Sequence, residues 1–248
     1  MILVVRLSAP MLAWPSASRF RHRLTEAVPT MSALQGILAA AAGVRREDSR
    51  PSWISEANMA VRLDLPGSVQ RDFQTINPSD QARYWQLSAR DQDKVRTVAK
   101  ANGAEHDAPV ITKRFYRQDQ TVLWFIDDAE GKVQKALDAP VFNLYAGRKA
   151  CPFSVPFQLG LVGGDLEDAL STFPTLAPPG VLVEGSLFAK PTKLAQFKVP
   201  ERRADKPTGQ VGLSYALQDR FSVLVDPPRA ASWFEVVETL RSGDDVAH

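Results

Sequence analysis

Cysteine is nearly missing from this sequence: Cys151 is the only one in 248 residues. A single thiol excludes an internal disulfide and suits a reducing compartment. Histidine is almost as scarce. His22, His106 and His248 lie far apart and lack the short spacings from which zinc sites are built, so neither a metal nor a cofactor is expected. Long hydrophobic runs are absent too. The apolar opening is broken at Arg6, which is too short for a signal peptide. No stretch approaches the ~20 apolar residues of a membrane span. The expectation is a cytoplasmic protein with no membrane contact. Finally, no charge of one sign dominates: 30 basic residues face 28 acidic ones, a net charge of +2. A surface for a polyanion must then come from local clustering of Arg and Lys.

What is present is enough apolar material for a core, 44% of residues, with an ordinary 23% charged. Ile2 to Leu7 reads as a buried strand. Ser8 to Thr30, punctuated by Pro10, Pro15 and Pro29, reads as an irregular connection. A helix is expected from Met31 to Ala42, with Thr30 or Ser32 as cap and Gly43 as its stop. Leu34, Ile37, Leu38 and Ala41 fall on its one apolar face. Asn58 to Leu65 and Val69 to Ile76 read as strands about a Pro66-Gly67 turn. Residues 77–109 form a polar insertion, helical in part over roughly Ala82 to Ala101. Val110 to Ile126 is strand-like, and Thr121 to Ile126, apolar on both faces, belongs at the centre of a sheet. A short helix over Lys132 to Leu137 follows. From Phe153 on the chain reads as scattered short strands, Val181 to Phe188 and Phe221 to Val225, among many prolines, and Ser242 to His248 as a frayed tail. This order predicts an α+β fold of the split-βαβ, ferredoxin-like (RRM-like) kind. The expected division is a domain over 1–152, with an arm inserted at about 77–109, and a smaller β-rich C-terminal part over 153–248.

Several clusters have the chemistry to hold RNA. Tyr145, Gly147, Arg148 and Lys149 combine a stacking ring, a turn whose N–H groups can face a phosphate, a guanidinium fork and a point charge; a solvated surface turn would read the same. Thr30, Met31 and Ser32 open the first helix, where free N–H groups and the dipole favour an anion, though ordinary capping uses them too. Arg45 and Arg46 either complement that helix's negative end or touch RNA. Arg19, Arg21 and Arg23 interleave with Phe20 as a flexible gripping loop does. The arm carries Arg83, Tyr84, Trp85 and Arg90. On its far flank, alternation sends Lys113, Phe115 and Arg117 to one face and Arg114 and Tyr116 to the other; one face would suit RNA and the other a partner, while a solvated hairpin whose aromatics pack on the core would read the same. Trp14 and Cys151 read as packing residues. Asp64, Asp72, Asp127 and Asp128 show no pairing that would make a metal-dependent nuclease. His22, Tyr145 and Lys149 would be the groups for metal-free RNA cleavage. A pure protein-interaction module fits the near-neutral charge.

Three segments carry a family resemblance. Leu7 to Trp14, Pro29 to Asp48 and Tyr145 to Pro152 resemble, in order, the opening strand and turn, the first helix and the basic glycine turn of the CRISPR-associated CasD family. Asp72-Phe73-Gln74-Thr75 is a weaker fourth match. The resemblance implies a RAMP-type fold with the arm as its thumb. It implies a non-catalytic subunit of type I-E Cascade that caps the 5′ handle of the crRNA. Its implied partners are that RNA, the CasC backbone subunit, the CasA large subunit and, through the complex, target DNA. Site residues carried over are those of the glycine turn and the start of the first helix, with Arg83, Tyr84, Trp85 and Arg90 of the thumb facing partners.

Overall fold

The computed structural model describes residues 1–14, 22–45, 47–76, 88, 90–91, 110–188, 193–202, 207–217 and 220–242. Its strands are β1 Ile2–Ser8, β2 Met11–Leu12, β3 His22–Arg23, β4 Met59–Leu65, β5 Ser68–Ile76, β6 Val110–Gln118, β7 Thr121–Asp127, β8 Gln158–Val162, β9 Val183–Phe188, β10 Lys193–Arg202, β11 Pro207–Leu217 and β12 Arg220–Val225. The helices are α1 Met31–Ala41, α2 Ser52–Ser55, α3 Lys132–Asp138, α4 Leu166–Thr172 and α5 Trp233–Ser242. None of the described helices is long and apolar enough to cross a membrane.

The main sheet has six strands in the order β12-β9-β4-β7-β1-β8, and every neighbouring pair is antiparallel. The first six residues of β7 are all buried, as a central strand covered on both faces requires. Alternation divides its side chains between two layers. Val122, Trp124 and Ile126 join Leu3, Val5 and Leu7 of β1 under α1 and α3. Leu123 and Phe125 join Ile2 and Val4 under α4 and α5. Residues after 152 supply β8, β9 and β12, so half of this sheet's strands come late in the chain.

The second sheet is built on β6. β5 runs antiparallel along one edge of β6, while β2 and β3 take the other. The predicted turn at Pro66-Gly67 therefore does not return the chain along β4: it carries it from the first sheet to the second. Gly67 sits at φ +60°, where an added Cβ would lie 2.2 Å from the Gln118 carbonyl oxygen, so only glycine fits. The single strand-like run expected over Val110 to Ile126 is two strands, β6 and β7, broken at Asp119 and Gln120. The break has a cause. Asp119 takes φ +55°, outside the strand region, so the ladder cannot run through it, and the buried Gln120 amide anchors the bend, accepting from Trp14 Nε1 at 2.7 Å and donating to the Ala27 carbonyl at 2.6 Å. β10 and β11 pair with each other as a separate two-stranded hairpin. The stretch expected as irregular from Ser8 to Thr30 holds the short strands β2 and β3, and the helices α2, α4 and α5 and the strands β8, β10 and β11 were likewise not anticipated from sequence. Arg19, Arg21, Arg46, Arg83, Tyr84, Trp85, the arm apart from 88 and 90–91, and the tail beyond Ser242 lie outside the described residues.

Candidate nucleic-acid interface

The site grows from α1. Thr30 caps it as expected, its Oγ accepting from the Ala33 N–H at 3.3 Å. The N–H groups of Met31 and Ser32 have no partner among the described residues. Met31 itself is buried, while Ser32 is exposed. Leu34, Ile37, Leu38 and Ala41 face the core, as the periodicity predicts. Gly43 closes the helix at φ +74°, and Val44 N–H donates to the Ala39 carbonyl at 2.8 Å. The chain then returns alongside: the N–H groups of Val141 and Phe142 donate to the Ala41 and Ala40 carbonyls at 2.9 and 3.2 Å. This leads directly into the glycine turn.

The turn is fixed from within. Tyr145 and Pro152 form an antiparallel bridge. Ala146 N–H donates to the Cys151 carbonyl, and Cys151 N–H to that of Arg148, both at 2.8 Å. Gly147 N–H donates to the Tyr145 carbonyl at 3.0 Å. Those N–H groups are therefore committed to the turn, while the N–H groups of Arg148 and Lys149 have no partner among the described residues. Gly147 has φ +77°, and an added Cβ would stand 1.8 Å from the Ala13 carbonyl oxygen. Its first duty is this close approach, which locks the turn against β2 through the Ala13 N–H to Ala146 carbonyl bond of 3.1 Å. Cys151 is buried here; burial pushes its thiol pKa up, and nearby Arg148 offsets part of the rise.

Arg148 is placed otherwise than a free phosphate fork would be. Its guanidinium lies 4.3 Å from the centre of the Tyr116 ring, and Nη2 donates to the Arg23 carbonyl at 3.2 Å. Its Nη1 is buried without an acceptor, as is Nε of Arg114 on β6. Arg148 thus straps the turn to β6 and β3. Exposed Arg23 and half-buried Arg114 sit opposite each other in the β3–β6 register.

Tyr145 and Lys149 do face open space. A cavity of about 920 Å³ runs beside α1, lined by Gly36, Ala40, Arg45, Phe142, Tyr145 and Lys149, with Glu47 and Asp48 also among its lining. It adjoins a second, of about 250 Å³, that Ser32, Trp14, Tyr145 and Gly147 help to line. Gly36, Ala40, Asn143 and Tyr145 border both. The fold therefore brings Ser32, Tyr145, Gly147, Lys149 and Arg45 to one groove. Lys113 and Arg114 lie apart from it on β6, and Arg90 is exposed in a helical turn behind Ser88. Phe142, 45% exposed, and Gly36 were not picked out from sequence. Arg50 also lines the groove but is held by Gln35 Oε1 at 3.1 Å. The four aspartates do not converge. Asp64 is paired with Arg62, Asp128 caps α3, Asp72 accepts from Gln74, and Asp127 is exposed.

Comparison with known proteins agrees with this architecture. The family model described as CRISPR-associated protein (Cas_Cas5) matches residues 2–211. The CRISPR system Cascade subunit CasD of Escherichia coli (strain K12) is 29% identical over 174 residues, covering 64% of this chain and 70% of that protein. A solved CRISPR RNA-guided surveillance complex contains a chain of the same fold, with a TM-score of 0.64 at 23% identity, over 98% of this chain and 100% of that one. A Cas protein crystal structure aligns with a TM-score of 0.57 at 24% identity, over 90% and 94%. With 210 of its residues inside the family match, this chain belongs to the CRISPR-associated Cas5 family.

Proposed function

We propose that the chain is a non-catalytic subunit of a type I-E Cascade that holds the 5′ handle of the crRNA in the groove beside α1. The observation that carries the reading is the convergence of Tyr145, Lys149, Arg45 and the open start of α1 on one groove. Phosphates would meet Lys149, Arg45 and the free N–H groups of Met31 and Ser32. A splayed base would stack on Tyr145 or Phe142. Arg148 holds the turn in place for that contact. The resemblance to a Cascade CasD subunit supports membership of such a complex. In it the arm at 77–109 acts as a thumb toward the CasC backbone subunit, the CasA large subunit packs nearby, and target DNA is met only through guide pairing. We read the order β4-β7-β1-β8, with α1 and α3 as crossovers on one face, as a ferredoxin-like core centred on 1–152 and completed by strands of 153–248.

The test is co-expression of the tagged chain with its neighbouring genes and a CRISPR array, then sequencing of the RNA that co-purifies. Guides sharing one repeat-derived 5′ end, depleted when Tyr145 and Lys149 are replaced by Ala, support the reading. RNA with random ends, or none, sinks it. Incubating the chain with repeat RNA in EDTA addresses catalysis: site-specific cleavage would make it an endoribonuclease.

A further inference from the structure

The register of β5 against β6 sorts their side chains onto two faces. Opposite residues share a face, and the pairs are Val69 with Arg117, Arg71 with Phe115 and Phe73 with Lys113, with Ile111 two residues along β6 from Lys113. The other face carries Tyr116 and Thr112, both buried, and packs inward with Tyr116 in the core. The first face looks outward. Phe73 is 57% exposed, Val69 51% and Ile111 43%. Arg71 is exposed, and Lys113, Phe115 and Arg117 are partly so.

Three features of this face occur together. Aromatics and cations form a checkerboard: Phe73 stands across from Lys113, and Arg71 across from Phe115. None of these seven residues is acidic. Arg71 and Lys113 have no carboxylate partner among the described residues, while Arg117 is tethered through Nε to the Glu26 carbonyl at 3.3 Å. Phe73 and Phe115 are diagonal neighbours, ~7–8 Å apart in an ideal antiparallel ladder. A single strand with its bases unstacked and its phosphates on the intervening cations matches that spacing. A polar partner protein would leave two phenyl rings facing polar groups, and an apolar one would bury three cations without counter-charge.

We propose that this outer face of the β5–β6 sheet is a sequence-tolerant platform for single-stranded nucleic acid, with bases stacked on Phe73 and Phe115 and phosphates on Arg71 and Lys113. It is separate from the groove beside α1 and does not require it. A chain with no preference for a handle sequence would still hold a single strand here.

The experiment is fluorescence anisotropy of the full chain with a labelled 12-nucleotide oligouridylate, repeated with oligothymidylate to separate RNA from DNA. Phe73→Ala should weaken binding about tenfold, and Phe73→Ala with Phe115→Ala about a hundredfold. Phe73→Trp should tighten it. Arg71→Gln with Lys113→Gln should lower the slope of log affinity against log salt by about 1.4. Phe73 is more than half exposed, so Phe73→Ala tests the platform without opening the core. Affinity within twofold of the parent in Phe73→Ala overturns the inference, as does failure of the parent chain to bind oligouridylate. Loss of a co-purifying subunit in Phe73→Ala without loss of oligouridylate binding also overturns it, and assigns the face to a protein. The handle reading is judged apart: handle preference that depends on Lys149 and survives Phe73→Ala leaves that reading standing whatever happens to the platform.

Discussion

Arg62 offers the sharpest test of how this fold is held together. It is fully buried on β4, and its guanidinium is fully engaged. Nε and Nη2 grip the two Asp64 carboxylate oxygens at 2.8 and 3.1 Å. Nη1 donates to the Leu170 and Phe173 carbonyls at 2.7 and 2.6 Å, and Nη2 to that of Pro174 at 2.7 Å. The Phe125 ring lies 5.6 Å from the guanidinium carbon. The three carbonyls sit at and beyond the C-terminal end of α4, where a cation also meets the negative end of the helix. One residue therefore fastens the α4 layer to the central sheet. Arg62→Met strands a buried carboxylate, which costs about 3–5 kcal/mol. Orphaning the carbonyls, each about 1–3 kcal/mol when dry, adds to this as far as water cannot reach them. The expected loss is at least about 4 kcal/mol, against a total stability of about 5–15 kcal/mol. Arg62→Met with Asp64→Leu removes the stranded charge and should recover about half of the loss, because the carbonyls stay unsatisfied. Urea unfolding followed by circular dichroism, with the denaturant slope unchanged, measures both. A single-variant loss below about 1.5 kcal/mol, or a double variant less stable than the single one, refutes the reasoning.

Two glycines should respond in opposite directions. Gly147→Ala meets the Ala13 carbonyl at 1.8 Å in a left-handed conformation, so it should lower Tm by about 6–12 °C for a loss near 3 kcal/mol. Gly36→Ala meets nothing within 4 Å inside α1 and should raise Tm by about 2–4 °C for a gain near 1 kcal/mol; calorimetry reads both. Burial raises the Cys151 pKa, so the folded chain keeps a proton that the unfolded thiol loses near pH 8.5. The associated stability is complete below that pH and fades as pH rises toward the folded value. Cys151→Ala should accordingly lose less Tm than the parent chain between pH 7.5 and 9.5. Lys149→Ala should lower the salt slope of handle-RNA binding by about 0.7 with little change in Tm. Arg148→Ala should lower Tm measurably, because it releases the turn from Tyr116.

Much of the site could be read before folding because its signals are local. Thr30 caps α1 and Gly43 stops it through bonds within a few residues. The run from Thr121 to Ile126 announces a central strand by composition alone. Arg148 was legible as a cation of the glycine turn but not as a strap. Its partners Tyr116 and Arg23 are remote in sequence, and a guanidinium suits an aromatic face as well as a phosphate. Phe142 escaped attention because nothing nearby distinguishes a core phenylalanine from one facing a groove. The helices α4 and α5 escaped although their start signals are local: Asp165 accepts from the Asp168 N–H to cap α4, and Ser232 from the Glu235 N–H to cap α5.

Local chemistry was enough for β1, the capped helix α1 and the basic glycine turn, because capping, periodicity and turn preferences act over a few bonds. Long-range packing settled that the chain turns at Asp119 and Gln120 and so splits one apparent strand between two sheets, that residues after 152 complete the central sheet, and that Phe73 and Phe115 share an exposed face. Those outcomes depend on strand register and on contacts between residues remote in sequence, and such contacts are settled by competition for buried surface across the whole chain.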